Sequence, residues 1–331
     1  MMKEFQLIDD VMPDVPPAGH ATMAAARARA LGSPSRRSRL PRGRLLLAAA
    51  AVVLVAAGGL IALPRLGGET DTTVMTEPGP AALLETVADR LAARPPATGA
   101  WWRRETLEVY RSRPDGAGYT VEQRAREVVW RDGRGRERRE RTTLSVRPLT
   151  PADEQAWRAA GAPSLCRADQ DCRLGKTRVL PLTQGAGYPV GPIAQLPTEP
   201  TALKAALLKV YPEGAPESQD SFMWNLYKWL LLDTDITPGT RGAVYRLMAA
   251  IPGTQVADGV ATVEGRVGLA LLEPREPVRQ QIIIDRDSGD LLAVQDVLVK
   301  PDPRMKEVDV GQVYQSYLVT RAEWTAEGPK D

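Results

Sequence analysis

The chain has 331 residues, 43% of them hydrophobic, with 43 Lys+Arg against 41 Asp+Glu for a formal charge of +2. That is enough apolar content for a folded domain, and the near-zero charge gives no reason to expect nucleic acid as a direct partner. One histidine and two cysteines cannot supply a His/Cys zinc cage or more than one His-based triad, so no metal and no cofactor is expected.

The charge is unevenly spread. Residues 1–44 hold eight basic and four acidic side chains, which makes this tail +4 and leaves −2 for the rest. Within it Phe5, Ile8 and Met12 share a helical face before Pro13 and the Pro16-Pro17 pair, which marks them as anchors of a peptide that docks on a cytoplasmic partner. The plainer reading is a tail held near anionic headgroups by its arginines.

Residues 45–63 are nineteen consecutive uncharged, almost wholly apolar positions. As a helix they span about 28 Å, close to a bilayer core of about 30 Å. A soluble core helix would alternate its faces, and a cleaved signal would have a short basic start and a small-x-small site, which Ile61-Ala62-Leu63-Pro64 lacks. The segment is therefore expected to be a single transmembrane helix. Arg36, Arg37, Arg39, Arg42 and Arg44 before it place the N-terminus in the cytoplasm and the C-terminal domain outside.

Residues 64–80, rich in Pro, Gly and Thr, form a linker, and 81–331 an extracytoplasmic domain. Leu84, Val87, Ala88 and Leu91 predict an amphipathic helix over 81–93, ended by Pro95-Pro96. Three long strand patterns follow at 101–111, 119–131 and 136–147, separated by turn residues. A helix opens at Thr150-Pro151, a loop runs to Pro197, and helices are predicted over 198–210, 222–232 and 238–250. Strands return at 266–273, 278–285 and 291–300. The fold class is α+β: a curved antiparallel sheet covered on one face by helices, preceded by one transmembrane helix.

Cys166 and Cys172 are six positions apart in a loop of a compartment expected to be oxidising. Their spacing is not the C-x-x-C of a redox catalyst, so a local disulfide is the favoured reading, with free thiols or pairing between chains as the alternatives. Six arginines between Arg131 and Arg141 read as a solvated hairpin face with cross-strand charge pairs, the alternative being contact with anionic headgroups or wall polymer. Trp101, Trp130, Trp157, Trp224 and Trp229 are candidates to line a concave apolar space for a ligand, against ordinary core packing. No nucleophile elbow, zinc-protease motif or phosphate-binding glycine loop is present, so no enzyme and no catalytic residue is expected.

Several short stretches carry a resemblance: Asp14-Val15-Pro16-Pro17, Leu196-Pro197-Thr198-Glu199-Pro200, Thr237-Pro238, Ile251-Pro252-Gly253, and Ile284 to Leu292 around Asp287-Ser288-Gly289-Asp290. With them the chain resembles, nearly end to end, an actinobacterial family of single-pass membrane proteins commonly encoded beside extracytoplasmic-function sigma factors. The resemblance implies an outer domain similar to the lipoprotein-carrier or sigma-regulator half-barrels and an anti-sigma role for the tail. The tail departs from zinc-dependent anti-sigma domains, having His20 and no cysteine. The expected function is a membrane-anchored sensing or binding protein regulating a sigma factor, the alternative being an anchored carrier of a lipid or other hydrophobic ligand.

Overall fold

A computed structural model describes residues 78–330 apart from 115, 167–172, 186, 304, 306 and 307. The tail anchors Phe5, Ile8 and Met12, the apolar run 45–63 and Cys172 lie outside the described residues. No helix of the described residues is long and apolar enough to cross a membrane.

Among the described residues nine strands form one sheet in the order β4-β3-β2-β1-β9-β8-β7-β6-β5, and every pairing is antiparallel. Two meanders make this sheet. The first is β1 (Trp101–Ser112), β2 (Val121–Asp132), β3 (Arg136–Pro148) and β4 (Thr177–Gln184); the second is β5 (Gln255–Ala261), β6 (Val267–Leu272), β7 (Val278–Ile284), β8 (Leu291–Leu298) and β9 (Val313–Thr325). Strands β1 and β9 join the two halves, so the last strand sits at the middle of the sheet. Among the described residues there are five α-helices: α1 (Pro80–Ala93), α2 (Pro151–Ala159), α3 (Pro200–Leu208), α4 (Gln219–Asp233) and α5 (Pro238–Ala249). The domain is thus α+β, with three of the five helices inserted between the two meanders.

The helix boundaries follow from capping chemistry. Thr150 and Asp153 form a reciprocal capping box at α2, Glu199 accepts from the first backbone N–H groups of α3, and Ser218 and Thr237 cap α4 and α5. Four of the helices, α1, α2, α3 and α5, carry proline in the first turn, where its missing N–H has no partner to lose.

The main core lies between the helices and β6–β9. Trp224, Tyr227 and Leu230 of α4 are at most 1% exposed and pack with Leu269, Leu271 and Ile282 of the sheet. Helix α1 crosses α5 closely, because Gly242 has no Cβ to hold the backbone of Ala88 away. On the opposite face Ala270, Ile283, Ala293 and Leu318 form a smaller cluster. It is covered by Val260 and Val263 of the β5–β6 hairpin, whose Glu264 reaches Arg124 on β2 at 2.8 Å.

Three expected features change. The loop predicted before Pro197 contains the edge strand β4, while β5 and β9 are strands where none was expected. The arginine run is a solvated face only in part: Arg134 and Arg136 are exposed, but strand alternation turns Arg131 and Glu137 inward, where both are under 7% exposed and bonded to each other. Charge pairs do form there, Arg139 to Glu137 at 2.9 Å and Arg141 to Glu108 at 2.9 Å among them.

Candidate functional site

The inner face of β1 is unusual in what it buries. Trp102, Arg104, Thr106 and Glu108 alternate inward and are each at most 5% exposed. A buried arginine needs acceptors to offset its lost hydration. Arg104 finds them at the C-terminus of α4: Nη1 donates to the Leu232 carbonyl at 2.6 Å and to Asp233 at 2.8 Å, and Nη2 to Glu127 at 2.7 Å. Arg131 donates to the Asp233 carbonyl at 2.5 Å and lies over the Trp102 ring at 5.9 Å. Two guanidinium groups thus cap the negative end of the α4 dipole and fix where the helix stops.

Beside this cap a cavity of about 220 Å³ opens between the end of α4, the first turn of α5, the β7–β8 turn and the ends of β1 and β9. Its floor is Trp102, Arg104, Leu231 and Leu232, all buried, and its mouth carries the exposed Arg266 and Arg321.

The β7–β8 turn is built by its own side chains. Asp285 Oδ1 accepts the backbone N–H of Asp287 at 3.0 Å and of Ser288 at 2.8 Å, and Gly289 takes a φ of +73° that a Cβ would strain. These N–H donors, the Ser288 one foremost, with Arg266 nearby, hold the Asp285 carboxyl below the usual carboxylate range. Helices α1 and α5 grip the turn from outside. Arg90 donates to the carbonyls of Arg286 and Asp287, Arg94 to that of Ser288, and the Tyr245 hydroxyl to that of Gly289 at 3.0 Å. Arg94 and Arg241 both reach Asp290 Oδ1 at 3.1 Å. The clasp holds Arg241 at the cavity wall with its Nε–H buried and without an acceptor, and Arg104 has the same orphan Nε–H. Arg266 donates to the Val319 carbonyl at 3.3 Å and makes no ion pair within the described residues.

Buried carboxylates elsewhere on the inner face are committed to partners. Burial, with Glu127 close by, pushes Glu108 up, and it accepts from Arg141; burial likewise raises Asp296, which accepts from Gln280 at 2.8 Å. Neither lines the cavity. Among the described residues no group of three or more His, Cys, Asp or Glu is arranged to hold a metal ion.

The five tryptophans do not line one space. Trp224 is 1% exposed in the core, its indole N–H donating to Gln280 at 2.8 Å. Trp229 stacks edge-on with Tyr188 at 5.4 Å, and Trp157 of α2 donates to the Pro163 carbonyl in the loop that follows the helix. Trp101 and Trp130 lie on the sheet face away from Trp102, Trp130 beneath Arg103 at 5.3 Å in an open groove of about 510 Å³. Cys166 is half-buried with a free thiol. The cavity residues Arg104, Arg241 and Arg266 were not legible as a set, because they sit on three elements more than 20 positions apart. The Asp285–Asp290 turn was the one visible signal. No protein family, curated protein sequence or solved structure matches the chain.

Proposed function

We propose that the chain is a single-pass membrane protein whose outer domain binds a ligand and whose short cytoplasmic tail, through Phe5, Ile8 and Met12, regulates a cytoplasmic factor of the sigma type. The reading rests on one observation, the uninterrupted apolar run 45–63 behind five arginines, followed by a Pro-, Gly- and Thr-rich stretch and then the compact domain of the described residues. The domain is read as a receptor because its recessed site presents guanidinium groups to an occupant.

An anchored carrier of an acyl chain finds less support. Trp224, Tyr227 and Leu230 occupy the space between α4 and the sheet that an acyl chain would need. Capture by the tail tests the proposal. The tail should retain a sigma factor from a lysate, and deleting residues 1–44 should change transcription of that factor's targets. Failure of both results removes the regulatory reading.

A further inference from the structure

We infer that the cavity beside the α4 C-terminus is a receptor site for a phosphate group. This deepens the receptor reading and rests on it for the biological meaning of the ligand; the binding itself does not depend on which side of a membrane the domain lies.

Size excludes an acyl chain or a large organic ligand. A space of about 220 Å³ falls below the roughly 300 to 1,000 Å³ of ordinary small-molecule pockets. The lining favours an anion. Four arginines and two aspartates line the walls; Arg104, Arg241 and Arg321 already have carboxylate partners, so the pull on a phosphate monoester, about −1.5 to −2 near pH 7, comes from Arg266 and from the guanidinium N–H groups left without acceptors. The two aspartates are already satisfied, Asp285 by backbone N–H groups and Asp290 by Arg94 and Arg241. The donors are not. Arg104, with a side chain only 4% exposed, keeps a buried Nε–H without an acceptor, as does Arg241. Such orphan donors on charged groups are costly unless something accepts from them. At the mouth Arg266 forms no salt bridge among the described residues, Asp285 being near it without a direct bond, and its planar fork suits the paired oxygens of phosphate.

The phosphate has two sources, a free ion or an ester such as a lipid headgroup, and calorimetric titration of the purified full chain separates them. Inorganic phosphate probes the first and glycerol 3-phosphate the second. Saturable binding of either at low salt, weakening as ionic strength rises, is expected. Arg266→Gln should weaken it roughly tenfold, the equivalent of one charge-assisted contact. Arg266 is exposed, so the substitution leaves folding intact, and Arg266→Lys should recover only part of the loss because an ammonium lacks the fork. Arg126→Gln, on the far face of β2, should leave binding unchanged. The inference is overturned if neither probe saturates, if acetate binds as tightly as the phosphates, or if Arg266→Gln and Arg126→Gln behave alike. Failure of the tail to capture a sigma factor would not touch any of these results.

Discussion

The crossing of α1 and α5 makes a prediction whose sign opposes simple helix propensity. Gly242 sits inside α5, where alanine is favoured over glycine by about 1 kcal/mol. Propensity alone would therefore have Gly242→Ala stabilise the protein. The packing says otherwise. A Cβ at this position would meet the Ala88 carbonyl oxygen at 2.7 Å and its Cα at 3.3 Å. Ordinary contact begins at 3.4 Å, so the two helices would have to part by about 0.7 Å. A gap of that size forfeits roughly a quarter to a half of each contact energy across the interface. Overpacking of this kind costs about 1 to 3 kcal/mol, so after the propensity gain the net loss is about 0 to 2 kcal/mol. The thermal midpoint of the full chain should fall, by up to roughly 8 °C. Gly118→Ala, with open space around its Cβ and an ordinary φ, should leave the midpoint unchanged. Thermal unfolding of detergent-solubilised protein, followed by tryptophan fluorescence, measures both. A Gly242→Ala variant more stable than the wild type, as propensity alone predicts, would refute the close-crossing account.

Asp296 offers a pH-dependent test. Burial raises its carboxyl, so the folded protein holds this proton to a higher pH than the unfolded chain does. Its contribution to stability is fully present below the ordinary carboxylate range and is lost as the pH rises through the raised folded value. Asp296→Asn cannot ionise and can still accept from Gln280. It should be the more stable form at pH 7 in urea unfolding, with the difference closing on acidification; a less stable variant at pH 7 would contradict this. Arg104→Met should cost about 2 to 4 kcal/mol, because it leaves the Leu232 carbonyl without its guanidinium donor and Asp233 and Glu127 with Arg139 alone. Arg246→Met should cost no more than about 1 kcal/mol, since Glu85 and Asp89 lie in solvent. Equal losses at the two sites would overturn that distinction. Thr237→Ala removes the α5 cap and should cost about 1 kcal/mol in the same assay.

Much of this fold could be read from periodicity and capping residues. The β1–β3 meander was visible in its alternation and turn residues, and α5 in Thr237-Pro238 at its start. The stretches that carry the family resemblance prove to have local structural jobs in this domain. Glu199 and Thr237 cap helices, Gly253 takes a φ of +83°, and Asp285 and Gly289 close the turn gripped by α1 and α5. The missed strands failed for identifiable reasons. In β4 Pro181 reads as a breaker and is tolerated because the strand lies at the sheet edge, while Asp258-Gly259 in β5 reads as a turn and forms an irregularity instead. Strand β9 is specified by two partners over 180 positions away on one side and under 35 on the other, which no local window contains.

The inward arginines show the limit most clearly. Composition assigns Arg131 and Arg104 to solvent, since isolated burial of a guanidinium is unfavourable. Only the tertiary structure supplies the α4 carbonyls and carboxylates that make their burial workable. The site was illegible for the same reason that it exists.

The outer placement of the domain is the claim on which the receptor reading depends. Paired reporters fused to the carboxyl terminus, one active only outside the cytosol and one only within it, test it most directly when combined with fractionation. The account predicts activity from the outer reporter alone and recovery of the intact chain in the membrane fraction. Activity from the cytosolic reporter, or a chain recovered in the aqueous fraction, would contradict it.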